Sequence, residues 1–154
     1  MLAIGCAERV KPPPAPRGAS LSVDTPIRGW TLLSNSEPDD LAVIAAARDY
    51  GINHIQLSHQ IVMDLRDMNR FTAAPVNRLV DAAHAAGIPE VVVWDHVFCE
   101  LTHYPAWFRT GPKNTIDLDN PQFWEWFKAD YRRMLDQLPN INGVVLTFIE
   151  TDTR

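Results

Sequence analysis

The sequence predicts an α/β protein built on a parallel sheet of four strands. Short apolar runs alternate with longer helical segments, in the order strand, helix, strand, helix, strand, helix, strand. Such alternation is typical of parallel strands joined by crossover helices. The predicted strands are apolar runs without strict polar alternation, which favours a sheet that is covered on both faces.

Each strand is predicted from an apolar run that is bounded by glycine, proline or polar residues. In chain order the four runs are RGWTLLS at 28–34, INHIQLSH at 52–59, PEVVVWDH at 89–96 and GVVLTFIE at 143–150. A long polar and aromatic segment separates the third strand from the last helix, and we interpret it as a loop.

Each helix is predicted from local start and stop signals. The first follows Ser36, which can cap it, and can end at Gly51. The second restarts at Pro75 and stops at Gly87, and the third begins at the Asn-Pro pair 120–121. Two of these helices therefore end with glycine followed directly by isoleucine and the next strand.

Two architectures fit this pattern, an open doubly wound sheet and a (β/α)₈ barrel. No G-x-G-x-x-G or P-loop motif follows a strand, which weakens a nucleotide-binding doubly wound sheet. The loops after the strands are rich in polar and aromatic residues, as at the mouth of a barrel. Because a complete barrel needs about 200 residues, we predict a partial (β/α)₈ TIM barrel over residues 27–154, with about four β/α units.

The composition and the N-terminal segment limit the possible partners. A net charge of −5 without a basic stripe argues against nucleic acid, and no apolar run approaches the length of a membrane span. Residues 1–26 are predicted to be a disordered tail. Its start, MLAIGC, is similar to the end of a bacterial lipoprotein signal, so a lipid anchor at Cys6 is the alternative. Cys99 lies far from Cys6 in sequence and is predicted to be a free thiol.

Polar residues follow every predicted strand, and the carboxyl ends of parallel strands share one rim. Glu150 closes the apolar fourth strand, where burial would raise its pKa and suit it to act as a general acid. The alternative is that each strand simply leaves the core through polar residues. The candidate substrate contacts are Asn35, His59, Trp94, Asp95 and His96.

Aromatic and basic residues near the same rim suit the binding of a sugar. The aromatic candidates for stacking on sugar faces are Trp30, Trp94, Tyr104, Trp107 and Phe108. The basic residues that could meet an anionic sugar, or else form solvated surface, are Arg28, Arg66, Arg109 and Lys113. No His-x-His or His-Glu-x-x-His spacing is present, so we predict neither a metal site nor a cofactor.

The last third of the chain contains the segment IDLDNPQFWEWFKADYRRMLDQLPNINGVVLTFIET at 116–151. This segment resembles the stretch that leads to the catalytic acid in α-glucuronidases, a glycoside hydrolase family. The paired tryptophans, Trp124 and Trp126, and the strand that ends at Glu150 carry the resemblance. The family's Ser-Glu-Gly is replaced here by Ile149-Glu150-Thr151. YGINHIQL and AAGIPEVVVW are similar to two earlier strands of the family.

The resemblance implies a (β/α)₈ barrel that removes glucuronic acid from xylan by inversion, with Glu150 as the acid. It further implies an oligo- or polysaccharide substrate and a location outside the cytoplasm. The family's base carboxylates lie on later strands, so we expect no hydrolase activity from these 154 residues alone. The alternative is a non-catalytic carbohydrate-binding or surface-anchored protein built from a degenerate barrel.

Overall fold

A computed structural model of the protein describes residues 26–148. The predicted tail, the lipid anchor at Cys6 and the acid role of Glu150 concern residues that lie outside this range. They therefore stay predictions from the sequence.

The described residues form one parallel sheet of four strands in the order β1-β2-β3-β4. Three α-helices alternate with these strands, as the sequence predicts, so the α/β fold with parallel strands is confirmed. In chain order the elements are β1 (Gly29–Leu32), α1 (Glu37–Ala47), β2 (His54–Leu57), α2 (Ala73–Ala85), β3 (Glu90–His96), α3 (Pro121–Leu135) and β4 (Gly143–Thr147).

The predicted helix signals act as expected at most ends. Asn120 accepts a hydrogen bond from the backbone N–H of Gln122 at 3.0 Å and so caps α3. The helix α2 begins at Ala73, two residues before the predicted start at Pro75. After α2 the N–H of Ile88 bonds to the carbonyl of Ala83 at 3.0 Å. This bond, five residues back along the chain, is typical of a helix that ends on a left-handed residue.

Gly87 is that left-handed residue, with a φ of +86° and no atom within 4 Å of where a Cβ would stand. We expect Gly87→Ala to destabilise the protein by about 1–2 kcal/mol, because an L-residue with a Cβ is strained in this conformation. Gly87→Asn should cost less, since asparagine tolerates positive φ. Urea unfolding of both variants checks this, and an alanine variant as stable as the wild type would contradict it.

The main core lies between the helices and one face of the sheet. Ile55 and Leu57 of β2 and Val91 and Val93 of β3 are fully buried there. The other face, which we call the open face, carries the half-buried Gln56 and Trp94 beside the buried Val92 and His96. The prediction that both faces are covered is therefore wrong for β2, whose burial alternates residue by residue. The alternation places polar side chains on the open face.

A second core forms where the loop after β3 packs on the first half of α3. Six buried residues make it up: Val97, Phe98, Tyr104, Phe108, Ile116 and Phe123. Tyr104 and Phe108 were predicted to stack on sugars, and the structure instead buries them in this cluster. Trp30 likewise packs against the main core beside Tyr50, with ring centroids 5.3 Å apart. These three aromatic side chains therefore stabilise the fold and do not line the rim.

Candidate functional site

Four side chains meet on the open face at the carboxyl ends of β2, β3 and β4: His59, Trp94, His96 and Thr147. We call this group the open-face cluster. The ring centroids of His59 and His96 are 5.7 Å apart and nearly parallel, and Trp94 meets both rings edge to face, at 5.4 and 5.7 Å. The indole N–H of Trp94 donates a hydrogen bond to the Thr147 hydroxyl. The predicted candidates His59, Trp94 and His96 are thus brought together.

Strand geometry explains why these residues share a face. Side chains two apart on one strand point the same way, so Trp94 and His96 are neighbours. In the parallel register, His96 of β3 lies opposite Thr147 of β4. The N–H of Val97 also bonds to the carbonyl of Thr147 at 3.1 Å. The orientation of the indole is therefore fixed by two strands.

The open-face cluster combines a flat ring with unfilled hydrogen-bonding capacity. His96 is 9% exposed, and its buried Nδ1 has no hydrogen-bond partner among residues 26–148. The Nε2 atom of His59 lies 3.1 Å from the side-chain nitrogen of Gln60. Imidazole nitrogens can donate to or accept from hydroxyl groups. The half-buried indole can therefore stack on an apolar ring face. His59 is the imidazole that a neighbouring hydroxyl can reach, because the unpartnered nitrogen of His96 is itself buried.

Asp95 lies on the opposite face of the sheet from Trp94 and His96. It is fully buried, and its carboxylate accepts hydrogen bonds from the N–H of Leu65, at 3.1 Å, and from the hydroxyl of Tyr131. Burial raises the pKa of Asp95, and these hydrogen bonds oppose that rise. This placement corrects the predicted set of substrate contacts, because Asp95 bonds to the helical side of the sheet.

Arg66, a predicted contact for an anionic sugar, is instead buried beside Asp95. Its side chain is 3% exposed, lies 3.3 Å from the Asp64 carboxylate and stacks on the ring of Tyr104, with 4.2 Å from the guanidinium carbon to the ring centroid. Arg66 also lowers the raised pKa of Asp95, although burial has the larger effect. We call Asp64, Arg66, Tyr104, Tyr131 and Asp95 the buried polar network. It holds the loop after β2 against α3.

Asn35 stands apart from the open-face cluster. It is exposed and lines a cavity of about 170 Å³ together with Asp40, Gln60 and Thr72. Gln60 is the one residue of this cavity that bonds to the cluster, through His59. The structure therefore brings three of the five predicted substrate contacts together and separates Asn35 and Asp95 from them.

Thr147 was not predicted from the sequence, and neither were Asp64 and Tyr131 of the buried polar network. Thr147 had a usable signal, since it is the first polar residue inside the predicted fourth strand at 143–150. Asp64 and Tyr131 had none, because Asp64 follows no strand end directly and Tyr131 lies mid-helix. The imidazole partner of Asp64 is His103, 39 residues later, and Tyr131 bonds to Asp95, 36 residues earlier.

Comparison with known proteins gives no family assignment: no family model, curated protein or solved structure matches this chain. Within residues 26–148, no group of three or more His, Cys, Asp or Glu side chains is placed to hold a metal ion. In the same range, none of the helices combines the length and hydrophobicity of a membrane span. The fold and the open-face cluster are therefore the features from which a function can be inferred.

Proposed function

We propose that the open-face cluster binds carbohydrate, in a protein similar to a glycoside hydrolase of the α-glucuronidase type. The observation that carries the proposal is the fixed indole of Trp94, flanked by two imidazoles at the carboxyl ends of the strands. Binding sites for small molecules are lined by aromatic rings with a few placed polar groups, and this cluster has both. Sugars need both as well, because each ring has an apolar face and a rim of hydroxyls.

The sheet supports a partial (β/α)₈ barrel as the architecture. In a barrel each strand lies beside the next in sequence, as in the order β1-β2-β3-β4, and the helices cover the outer face alone. Leu146 of β4 is 50% exposed, and a further β/α unit beside β4 would cover it. On this proposal the open face is the interior of the barrel and the open-face cluster lies at its mouth.

Glu150 completes the hydrolase form of the proposal. It follows β4 by three residues, so the sequence puts it near the rim that Thr147 occupies. The resemblance to α-glucuronidases makes it the general acid that protonates the leaving oxygen. Asp95 cannot take over this role, because its carboxylate bonds to Tyr131 on the helical side of the sheet.

Carbohydrate binding without hydrolysis is the second candidate function. Between residues 26 and 148, no hydrogen bond or ion pair joins a carboxylate to the open-face cluster. Binding by rings and imidazoles therefore needs fewer assumptions than acid catalysis. The 154 residues alone are expected to release no reducing sugar from a glucuronic-acid-substituted xylo-oligosaccharide. Release that is lost in Glu150→Gln would contradict this expectation and favour the hydrolase.

We expect Trp94→Ala to weaken the binding of such an oligosaccharide at least tenfold, because the stacking surface and its anchor on Thr147 are both lost. Calorimetric titration of the wild type and the variant measures this. Trp124→Ala is the matched control, since Trp124 lies on α3, is 38% exposed and bonds to the carbonyl of Leu118. Equal affinities for wild type and Trp94→Ala, or no saturable binding by the wild type, would contradict the proposal.

A further inference from the structure

A second site lies on the helical side of the sheet, where α1 and α2 begin. It is the cavity of about 170 Å³ described above, which is large enough to hold several waters or a small organic molecule. The polar residues in its wall are Asn35, Glu37, Asp40, Gln60 and Thr72, and the apolar ones are Ile61, Pro75, Val76 and Leu79. The cavity thus has a polar part and an apolar part.

Asp40 is the unusual residue of this cavity. It is 2% exposed, and among residues 26–148 no side chain or backbone N–H donates a hydrogen bond to its carboxylate. Burial raises the pKa of Asp40, and the neighbouring Asp39 raises it further. A shielded carboxylate without a partner is costly, so Asp40 would gain free energy from a cation in the cavity.

The other polar groups of the cavity wall determine how many charges remain for a ligand, and of which sign. Glu37 is committed to Arg78, with its two oxygens 2.6 and 2.8 Å from the guanidinium nitrogens. The Thr72 hydroxyl donates to the carbonyl of Asp67 at 2.7 Å. The side-chain carbonyls of Asn35 and Gln60 remain as acceptors. The cavity therefore offers one free negative charge and a few neutral oxygens.

This balance suits an organic cation better than a metal ion. Ca²⁺ takes six to eight oxygen ligands, several of them carboxylates, whereas a single free carboxylate lines this cavity. The apolar wall around Val76 and Leu79 offers no ligands to a metal ion, but it can pack against a short aliphatic chain. A primary ammonium group has three donors, which match one carboxylate and two amide carbonyls.

We propose that this cavity binds a small primary alkylammonium group, with Asp40 as its counter-ion and the aliphatic part against Val76 and Leu79. The site is separate from the open-face cluster, and neither proposal depends on the other. The source of the ammonium group is any small amine or amine-bearing molecule with a short aliphatic chain.

The test uses the full chain and n-propylammonium chloride as the probe, followed by ¹H–¹⁵N correlation spectra. We expect saturable shifts of the Gln60 and Thr72 amides. Asp40→Asn should weaken the binding at least fivefold, and Asp49→Asn should leave it unchanged, because Asp49 is exposed and lies beyond the far end of α1. Asp40→Asn should fold, since it replaces an unpartnered carboxylate by a neutral group of the same shape.

Three comparisons make the result decisive. Sodium chloride at equal ionic strength controls for screening, n-propanol removes the charge, and calcium chloride tests for a metal site. Binding of propanol as tight as that of propylammonium would overturn the role of charge. Tighter saturation by Ca²⁺ would overturn the ligand class. No saturable binding of propylammonium, or equal binding by Asp40→Asn, would overturn the site itself.

Discussion

Arg66→Met is expected to destabilise the protein by about 3–5 kcal/mol, the cost of removing one partner of a buried ion pair. Within the described part of the chain, the Asp64 carboxylate then keeps only a backbone N–H and the imidazole of His103, 2.9 Å away. The side chains of Arg66 and Asp64 are both 3% exposed, and they are 3.3 Å apart. The guanidinium also stacks on Tyr104 and lies 4.9 Å from the centroid of the Phe127 ring. Methionine keeps most of the volume but loses both the charge and the planar group.

Urea unfolding followed by circular dichroism measures this effect. Arg70→Met is the matched control, because Arg70 lies on the same loop and stacks on Phe71 at 4.4 Å but is exposed. It should change stability by no more than about 0.5 kcal/mol. Arg66→Lys separates charge from stacking and should fall between wild type and Arg66→Met. A loss in Arg66→Met no larger than that in Arg70→Met would contradict a structural role for the buried polar network.

The order of elements was predictable from the sequence because its signals are local. The cap at Asn120, the left-handed glycine at 87 and the apolar runs depend on neighbours within a few residues, and the structure confirms them. The observed element boundaries differ from the predicted ones by a few residues. The strands are shorter than predicted, because the residues at their ends do not pair with a neighbouring strand. The predicted β4 also continues into residues that lie outside the described range.

The site was predicted only in part, and strand geometry explains the error at Asp95. Successive residues of a strand point to opposite faces, so Asp95 cannot share a face with both Trp94 and His96. Applying that rule to the sequence would have separated Asp95 from the candidate site. Assigning all polar residues at a strand end to one site overlooks this alternation.

Such rules could not predict the burial of Arg66 and Tyr104. Both depend on how the loops after β2 and β3 fold over α3, because the Arg66 guanidinium contacts the ring of Tyr104 and also that of Phe127 on α3. An arginine in a polar loop is expected at the surface, because isolated charges are rarely buried. Its ion pair with Asp130 of α3 forms only when the loop folds over that helix, so the sequence does not show it.

Asp95→Leu is expected to cost about 3 kcal/mol, because it leaves the buried N–H of Leu65 and the hydroxyl of Tyr131 without an acceptor. Asp95→Asn keeps an acceptor for Leu65 and should cost far less. In the double variant Asp95→Leu, Tyr131→Phe, the loss should be smaller than the sum of the single losses by about 1 kcal/mol. Tyr50→Phe is the matched control, since Tyr50 is 68% exposed.

The pH dependence of unfolding gives an independent measurement of the same carboxylate. Burial raises the folded-state pKa of Asp95, so the folded protein holds this proton more tightly than the unfolded chain. Its contribution to stability is therefore largest below the unfolded pKa of about 3.9 and is lost as pH rises through the raised folded pKa. Asp95→Asn should remove this component, leaving a wild-type-minus-variant difference in unfolding free energy that falls with rising pH. If that difference stays flat across the acidic range, burial does not raise the folded-state pKa of Asp95. An asparagine variant as unstable as the leucine variant would contradict the role of Asp95 as the acceptor for Leu65.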